Sequence, residues 1–571
     1  MKYLNRKILL PAVLSLALVT GACAAGETAG SSSVAGQTAA QTLADNAAVE
    51  DVADTTGQAE ETITLSGSTA TSSSETVTVN GGVVTVTAAG TYRISGTLTD
   101  GQVVVNVSGD GVVTLILDGA DITNSTGSPL VVTDAESAVV QLADGSQNTL
   151  ADATTYVYPD AETDEPNAAL FSTADLTITG TGALTVQGNA NDGIASKDGL
   201  VIESGTITVD AVDDGIRGKD YLVVKGGTIT VTTGGDGLKA DNSEDATKGY
   251  VAVEGGTVTV TAGGDGVDAV TDVVVSAGTL AVTAGGGASG SVADDASAKG
   301  LKGSASVVVD GGTITVDAAD DAVHSNGSVT VNGGELTLAT GDDGLHADGD
   351  LAITNGTVTV SRSYEAIEGT TITISGGDVH ATSSDDGLNA GSALTIGGGT
   401  IVVDTGGDGL DSNGSASITG GTIVVNGPTE NMNGALDTDG TFTISGGVLL
   451  AVGSSGMVEA PAGSSPQGWV AATFSTTQAA GTVVHVASAD GTVLASFTAS
   501  KAFASLVYSS ADITSGSTYT VYAGGSVSGE SIGGLATAGS IDGATSAGTF
   551  TAGQAPDGGM GGGMGGGRPG G

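Results

Sequence analysis

The stretch Leu222-Val-Val-Lys-Gly-Gly-Thr-Ile-Thr-Val-Thr-Thr-Gly-Gly-Asp-Gly-Leu238 decides the fold. It holds two short runs of alternating apolar residues, a Gly-Gly-Thr corner and an acidic turn. Aligned on the Asp-Gly pair, this unit recurs at steps of 22, 22, 22, 22, 21 and 22 residues wherever no insertion intervenes. The aligned acidic positions are Asp192, Asp214, Asp236, Asp265, Asp321, Asp343, Glu365, Asp386 and Asp408.

A fixed period of this length predicts a repeat architecture in which every unit contacts only its neighbours. Alternation with period 2 directs Val, Ile and Leu inwards and Thr outwards, and coils stacked ~4.8 Å apart can pair their backbones. Glycine recurs where the chain turns a corner and is expected to adopt positive φ there. These corner glycines are Gly205, Gly227, Gly256, Gly312, Gly334, Gly377, Gly399 and Gly421. The sequence therefore predicts an all-β, three-sided parallel β-helix with about 22 residues per coil.

The charge balance excludes several classes of function. The 571 residues include 64 Asp plus Glu against 15 Lys plus Arg, a formal net charge of -49. Such a negative electrostatic field repels phosphate backbones and anionic lipid head groups. We therefore expect no nucleic-acid partner and no polybasic membrane docking. Cations are the natural counter-species.

The first residues are typical of a secretion signal. Lys2, Arg6 and Lys7 precede an apolar stretch over 8–19 that is short for a transmembrane helix. The following Val19-Thr-Gly-Ala-Cys23 predicts a lipoprotein signal peptide over 1–22 and lipidation of Cys23, although ordinary cleavage beside small residues is an alternative. We therefore expect an extracellular, cell-surface lipoprotein that meets the membrane only through this lipid, with residues 23–60 as a flexible tether.

The remaining boundaries follow from changes in the pattern. Residues 61–464 are predicted to form the β-helix, including an N-terminal β-region without the Asp-Gly repeat. Residues 465–525, around Trp469, are predicted to form a small β cap that covers the open end. Residues 526–571 are rich in Gly and are predicted to be a disordered tail.

In the 22-residue register the acidic turns stack at one corner of the helix. Carboxylates ~4.8 Å apart repel each other by roughly 0.9 kcal/mol in water and by more near a protein surface, so the ladder needs relief. Two means of relief remain open. Each Asp can accept backbone N–H groups of its own turn, or Ca²⁺, which takes six to eight oxygen ligands, can bridge neighbouring coils. The candidate calcium ligands are Asp192, Asp214, Asp236, Asp265, Asp343, Asp386 and Asp408.

A second polar column lies three residues after the ladder, at Arg217, Lys239, Asp268, His324, His346, Glu368, Asn389 and Asp411. Its candidates for contact with a ligand are Arg217, Lys239, His324, His346, Asn389 and Asp411. Such a stripe can recognise a polysaccharide or can simply be a solvated face. His324 and His346 could also ligate a transition metal, but the sequence shows no third ligand with matching spacing. No pair of acids is singled out for catalysis, so we predict no catalytic residues.

An ordered series of segments resembles the secreted bacterial carbohydrate-binding proteins built on a right-handed parallel β-helix similar to that of pectate lyases. The series includes Ala89-Gly-Thr-Tyr-Arg-Ile-Ser-Gly-Thr-Leu98, Leu115-Ile-Leu-Asp-Gly-Ala-Asp-Ile122 and Asp213-Asp-Gly-Ile-Arg-Gly-Lys-Asp220. The resemblance implies calcium-dependent binding of acidic, pectic or other cell-wall polysaccharide by a monomer without hydrolysis. The alternatives are a surface adhesin or structural stalk and, third, a polysaccharide lyase.

Overall fold

The structure is a computed structural model that describes residues 36–50, 59–160, 162–293 and 296–555. These residues belong to one compact unit that begins at Gly36. The chain forms a parallel β-solenoid of about 16 turns with ~23 residues per turn, 55% strand and 1% helix. The predicted fold class is therefore confirmed. The signal peptide over 1–22 and Cys23 lie outside the described residues.

Each coil contributes one strand to each of three parallel sheets, because strands pair with the third strand along the chain in most of the solenoid. Sheet A holds the strand that follows the glycine corner. Its strands are Gln147–Ala151, Ala183–Gly188, Thr206–Ala211, Thr228–Thr233, Thr257–Ala262, Thr279–Ala284, Thr313–Ala318, Glu335–Thr340, Thr357–Arg362, Asp378–Ser383, Thr400–Thr405, Thr422–Asn426 and Val448–Gly453.

Sheet B follows the acidic turn. Its strands are Val83–Val86, Gln102–Asn106, Leu130–Asp134, Ala168–Ser172, Asp192–Ser196, Ile216–Gly218, Leu238–Ala240, Val267–Ala269, Leu301–Gly303, Val323–Ser325 and, after three shared strands, Leu410–Ser412 and Leu436–Thr438. The shared strands Leu345–Ile353, Ile367–Ile374 and Leu388–Ile396 run from sheet B into sheet C without a break.

Sheet C completes the coil. Its other strands are Glu60–Gly67, Gly90–Leu98, Val112–Thr123, Ser137–Leu142, Asp175–Gly180, Gly199–Ile202, Tyr221–Val224, Tyr250–Val253, Asp272–Val275, Ser306–Val309, Ser328–Val331, Ser415–Ile418 and Phe442–Ile444. The end of Val112–Thr123 also pairs with the first strand of sheet A. Near the N-terminus, Thr69–Ser72 pairs antiparallel with Glu60–Gly67, and Val77–Asn80 with Val83–Val86.

The interior is a continuous apolar column. In Thr228–Thr233 the exposed Thr228 alternates with Ile229, which is fully buried. Ile229 lies in register with Ile207 on one side and Val258 on the other, so like side chains stack from coil to coil. This packing is the burial of Val, Ile and Leu that the alternation predicts.

The glycine corners adopt the expected conformation. All eight predicted corner glycines have positive φ, for example +93° at Gly227. A Cβ built there would lie 2.8 Å from the carbonyl oxygen of Gly205 in the preceding coil. Both the φ angle and the close approach of the coils therefore require glycine.

The last coils are covered by two antiparallel elements. Trp469–Gln478 pairs with Phe503–Ser509, and the latter pairs with Val448–Gly453 of sheet A. A separate six-stranded cap sheet consists of Ser526–Ile532, Leu535–Ser540, Val493–Thr498, Val483–Ser488, Thr518–Ala523 and Thr545–Thr551. The prediction of a disordered tail from residue 526 is wrong as far as residue 551, because three of these strands lie beyond that boundary. The Gly- and Met-rich residues 556–571 are outside the described part.

The segment 36–50 corrects a second prediction, that of a flexible tether over 23–60. It contains the helix Ala39–Asp45, capped by Thr38, and packs on the outer face of sheet C. The helix buries Ala39 against a cluster that includes Val274 and Val308. Polar contacts also hold the segment: the Ala39 N–H donates to Asp310 Oδ2 (2.9 Å), and the Tyr250 hydroxyl donates to the carbonyl of Ala47 (2.9 Å). This part of the chain is therefore docked. No helix among the described residues is long and apolar enough to span a membrane.

Candidate functional site

The candidate site is a pair of adjacent columns along the corner between sheets A and B. The acidic ladder lies in the turns, and the second column lies three residues later, at the centre of the sheet B strands. Register pairing places the predicted members of the second column side by side. In full the second column reads Arg217, Lys239, Asp268, Lys302, His324, His346, Glu368, Asn389, Asp411 and Asp437.

The ladder carboxylates are hydrogen-bonded to the backbone. One oxygen of each of the eight ladder aspartates accepts an N–H from the turn of the next coil, not from its own turn as the hydrogen-bonded alternative supposed. The distances from donor nitrogen to Oδ1 are 3.4 Å at Asp192, 3.0 Å at Asp214, 2.8 Å at Asp236, 2.7 Å at Asp265, 3.1 Å at Asp321, 3.2 Å at Asp343, 2.6 Å at Asp386 and 2.5 Å at Asp408. The ladder therefore has a structural task independent of any ligand, because it satisfies backbone donors that the turns leave unpaired.

In the early coils the second carboxylate oxygen meets a cation from the second column. Arg217 donates to Asp192 Oδ2 at 2.6 Å, and Lys239 lies 3.0 Å from Asp214 and 2.7 Å from Asp236. Lys302 lies 2.9 Å from Asp265. Four predicted calcium ligands thus already have a positive partner, which is Arg217 or Lys239 for the first three and Lys302 for Asp265.

Burial and neighbouring groups together shift the pKa values of these acids. Asp192 is 1% exposed, and desolvation raises its pKa to about 6 despite the neighbouring Arg217. Burial would also raise the pKa of Asp321, but hydrogen bonds and charge from His324 and Lys299 hold that pKa at about 2. Both carboxylates face a cation, so the difference comes from the further hydrogen bonds that Asp321 accepts and from the like charges of Asp213 and Asp214 beside Asp192.

The histidines continue the second column. His324 Nδ1 lies 2.8 Å from Asp321 Oδ2, and His346 Nδ1 lies 2.9 Å from Asp343 Oδ2. The two rings are 4.9 Å apart between centroids. A hydrogen bond to Asp343 raises the pKa of His346 to about 9, which favours the charged ring that donates its Nδ1 proton to that carboxylate.

Beyond His346 the cations stop. We call six acids of the later coils the acidic end: Glu365, Asp386, Asp408, Asp411, Asp437 and Glu459. None of the six forms an ion pair within the described residues. Desolvation raises the pKa to about 7 at Glu365, Asp411 and Glu459 and to about 6 at Asp408, and also raises it at Asp386 and Asp437. Asn389, the remaining predicted contact residue, donates to Glu365 Oε2 at 2.9 Å.

The sequence pattern missed several members of the site. Lys302 and Lys299 follow an insertion that breaks the 22-residue step, although Leu301-Lys-Gly303 repeats Ile216-Arg-Gly218. Asp437 lacks the preceding Asp-Gly pair that carried the alignment. Glu459 comes from a loop outside the repeat and reaches Asp437 only in the folded chain, where its Oε2 accepts the Thr438 N–H at 2.8 Å.

The fold and the site together define a parallel β-solenoid protein with a charged corner suited to a polar, elongated ligand. The family model of carbohydrate-binding domain-containing proteins matches residues 80–344 and 345–529, and the chain belongs to this family. The family supports carbohydrate as the partner in general terms.

Two proteins are similar to parts of this chain. A carbohydrate-binding domain-containing protein from Acetivibrio thermocellus is 34% identical over 128 residues, which are 22% of this chain and 45% of the relative. The chain thus matches about half the length of this curated relative. A solved structure titled as the polysaccharide lyase-like protein from C. thermocellum, in a gadolinium derivative, is 33% identical, with a TM-score of 0.40, and the match covers 45% of this chain and 97% of its own.

Proposed function

We propose that the protein binds acidic polysaccharide, polyuronates of the pectic type included, through calcium ions held at the acidic end. The observation that carries the proposal is that none of the six carboxylates of the acidic end forms an ion pair within the described residues, next to a ladder whose earlier aspartates all have a cationic or histidine partner. The donor set suits Ca²⁺, which binds carboxylate and carbonyl oxygens.

Asp411 and Asp437 are the best candidate ligands within the acidic end. They are neighbours in register, and the charges of Asp408, Asp437 and Asp439 add to burial in raising the pKa of Asp411. A divalent cation would relieve this repulsion, and its open coordination positions could accept uronate oxygens. Asp386 and Asp408 hold backbone N–H groups with one oxygen and retain the other for a metal ion. Of the predicted calcium ligands these two therefore remain the strongest.

Polyuronate suits the surface better than a flat neutral glucan. A carboxylate–calcium–carboxylate bridge requires no aromatic platform, and aromatic residues make up only 3% of the chain. Tyr364, which is 48% exposed, is the exception near this corner, and hydrogen bonding to Asp385 raises its pKa to about 12. One exposed ring beside the acids can support a sugar without replacing the calcium bridge.

The test is binding of the full chain to polygalacturonate, by affinity electrophoresis and calorimetry, in calcium and in chelator. Calcium is expected to tighten binding at least tenfold, and the double variant D411N/D437N to lose that gain. The double variant D210N/D378N is the matched control, because Asp210 and Asp378 are exposed on sheet A and their replacement removes the same two charges without touching the acidic end. Equal binding in chelator would overturn the calcium bridge.

The same samples separate the alternatives. A stalk or spacer would retain no polysaccharide under either condition. A lyase would release unsaturated uronate that absorbs in the ultraviolet.

We expect the predicted cell-surface location, through a lipid on Cys23, to present the site to such polymers. Metabolic labelling with a fatty acid, compared between the parent chain and C23S, tests that attachment.

A further inference from the structure

A second candidate metal site lies one coil before the acidic end, around His346. Its Nδ1 is 2.9 Å from Asp343 Oδ2 and 3.1 Å from Glu368 Oε2. The ligand atoms of these three residues all lie within 4.8 Å of one another. The sequence showed no third ligand for the histidines; the fold supplies it, because Glu368 is the register neighbour of His346 in the next coil.

The imidazole is oriented for metal binding. Its Nδ1 faces the Asp343 and Glu368 carboxylates, and a metal ion bound there would displace the Nδ1 proton, while Nε2, 3.4 Å from Asp348 Oδ1, keeps its own proton. A carboxylate that fixes the tautomer of a histidine is the usual outer partner of a metal-binding imidazole. The adjacent ring of His324 further restricts the orientation of His346.

The charge around the three residues favours a divalent ion. Within the described residues, Asp343 and Glu368 form ion pairs with His346 alone and with no Lys or Arg. Burial and the charge of Asp343 raise the pKa of Glu368 to about 7, which reflects the repulsion between these carboxylates. The side chains retain exposed fractions of 8%, 22% and 34% for Asp343, His346 and Glu368, so an ion can reach them from solvent.

The preceding coil provides an internal comparison. Asp321, His324 and His346 have the same arrangement, and their ligand atoms also lie within 4.8 Å of one another. There, however, Lys299 lies 2.7 Å from Asp321 Oδ2 and already supplies a positive charge. The pattern is therefore repeated, but only the later copy lacks a lysine.

We propose that Asp343, His346 and Glu368 bind one divalent first-row transition metal ion, with Zn²⁺ as the probe and water in the remaining position. One imidazole nitrogen and two carboxylates form a zinc-type donor set, whereas Ca²⁺ prefers oxygen ligands throughout. The site is distinct from the calcium-binding acidic end and does not depend on the polysaccharide.

The experiment is calorimetric titration of the full chain with Zn²⁺ in excess Ca²⁺, together with Co²⁺ substitution followed by visible absorption. H346Q and E368Q are each expected to weaken Zn²⁺ binding at least about tenfold and to abolish the Co²⁺ bands. H380Q is the matched control, because His380 is exposed on a strand of sheet A, and should bind within twofold of the parent. Circular dichroism checks that every variant is folded.

H324Q separates the two copies of the pattern. Binding within about threefold of the parent supports the site at Asp343, His346 and Glu368. A loss in H324Q as large as that in H346Q would place the ion in the preceding coil and overturn the assignment. Unchanged binding in H346Q and E368Q, or an equal loss in H380Q, would also refute it. Calcium-dependent polygalacturonate binding by H346Q reports separately on the acidic end.

Discussion

Two substitutions of Asp236 distinguish the hydrogen bond that a ladder carboxylate accepts from the charge that it carries. In the structure Asp236 Oδ1 accepts the N–H of Asp265 at 2.8 Å, while Oδ2 meets Lys239 at 2.7 Å. Asp236→Ala removes both the acceptor of the Asp265 N–H and the negative charge that pairs with Lys239. Asp236→Asn retains an amide oxygen for the N–H and removes only the charge. Lys239 retains Asp214 at 3.0 Å in either variant.

The magnitude follows from the buried donor. Asp265 is 2% exposed, so its N–H has little access to water once the acceptor is lost. A buried, unsatisfied donor costs about 1–3 kcal/mol, which corresponds to roughly 5- to 150-fold faster amide exchange at that position. In D236N the oxygen remains, and exchange within about threefold of the parent is expected.

The assay is hydrogen exchange resolved at the Asp265 amide, under conditions in which exchange reports the open population. Asp210→Ala is the control, because it removes an exposed carboxylate from sheet A. Equal acceleration in D236A and D236N would show that charge, and not the oxygen acceptor, stabilises the turn. No acceleration in either variant would refute the ladder as a backbone partner.

Three further outcomes are expected. Ile229→Ala, in the stacked interior, should cost about 2–5 kcal/mol of local stability by denaturant-dependent hydrogen exchange, whereas Thr230→Ala on the outer face should change it by less than about 0.5 kcal/mol. His485 is buried in the cap sheet, and burial lowers its pKa below 6.5, so the folded cap binds fewer protons than the unfolded one. Cap stability should therefore be full above pH 6.5 and fall below it, and H485Q should flatten this dependence in thermal unfolding between pH 7.5 and 5. Ala39→Glu should release the docked segment and expose residues 36–50 to limited proteolysis, with the solenoid melting temperature unchanged; protection equal to the parent would contradict the packing seen at Ala39.

The repeat alone sufficed to predict the solenoid, because alternation, corner glycines and the 22-residue step are local consequences of each coil. It also placed both polar columns, since residues at equal positions in the repeat become neighbours. It could not predict which acids have cations, because Lys302 follows an insertion. It also could not place Glu459 in the site, because this residue comes from outside the repeat. Nor did composition reveal that residues 36–50 dock, because their small polar residues are typical of linkers and only the complementary face of sheet C orders them.

The docked segment also determines where a force on the chain would enter the solenoid. The carbonyl of Gln37 accepts a hydrogen bond from Asn332, directly after the sheet C strand Ser328–Val331, in a coil well away from either end of the solenoid. A pull applied at residue 36 would therefore act as shear on the contacts of residues 36–50 along the outer face of sheet C, and would not be concentrated on a terminal coil.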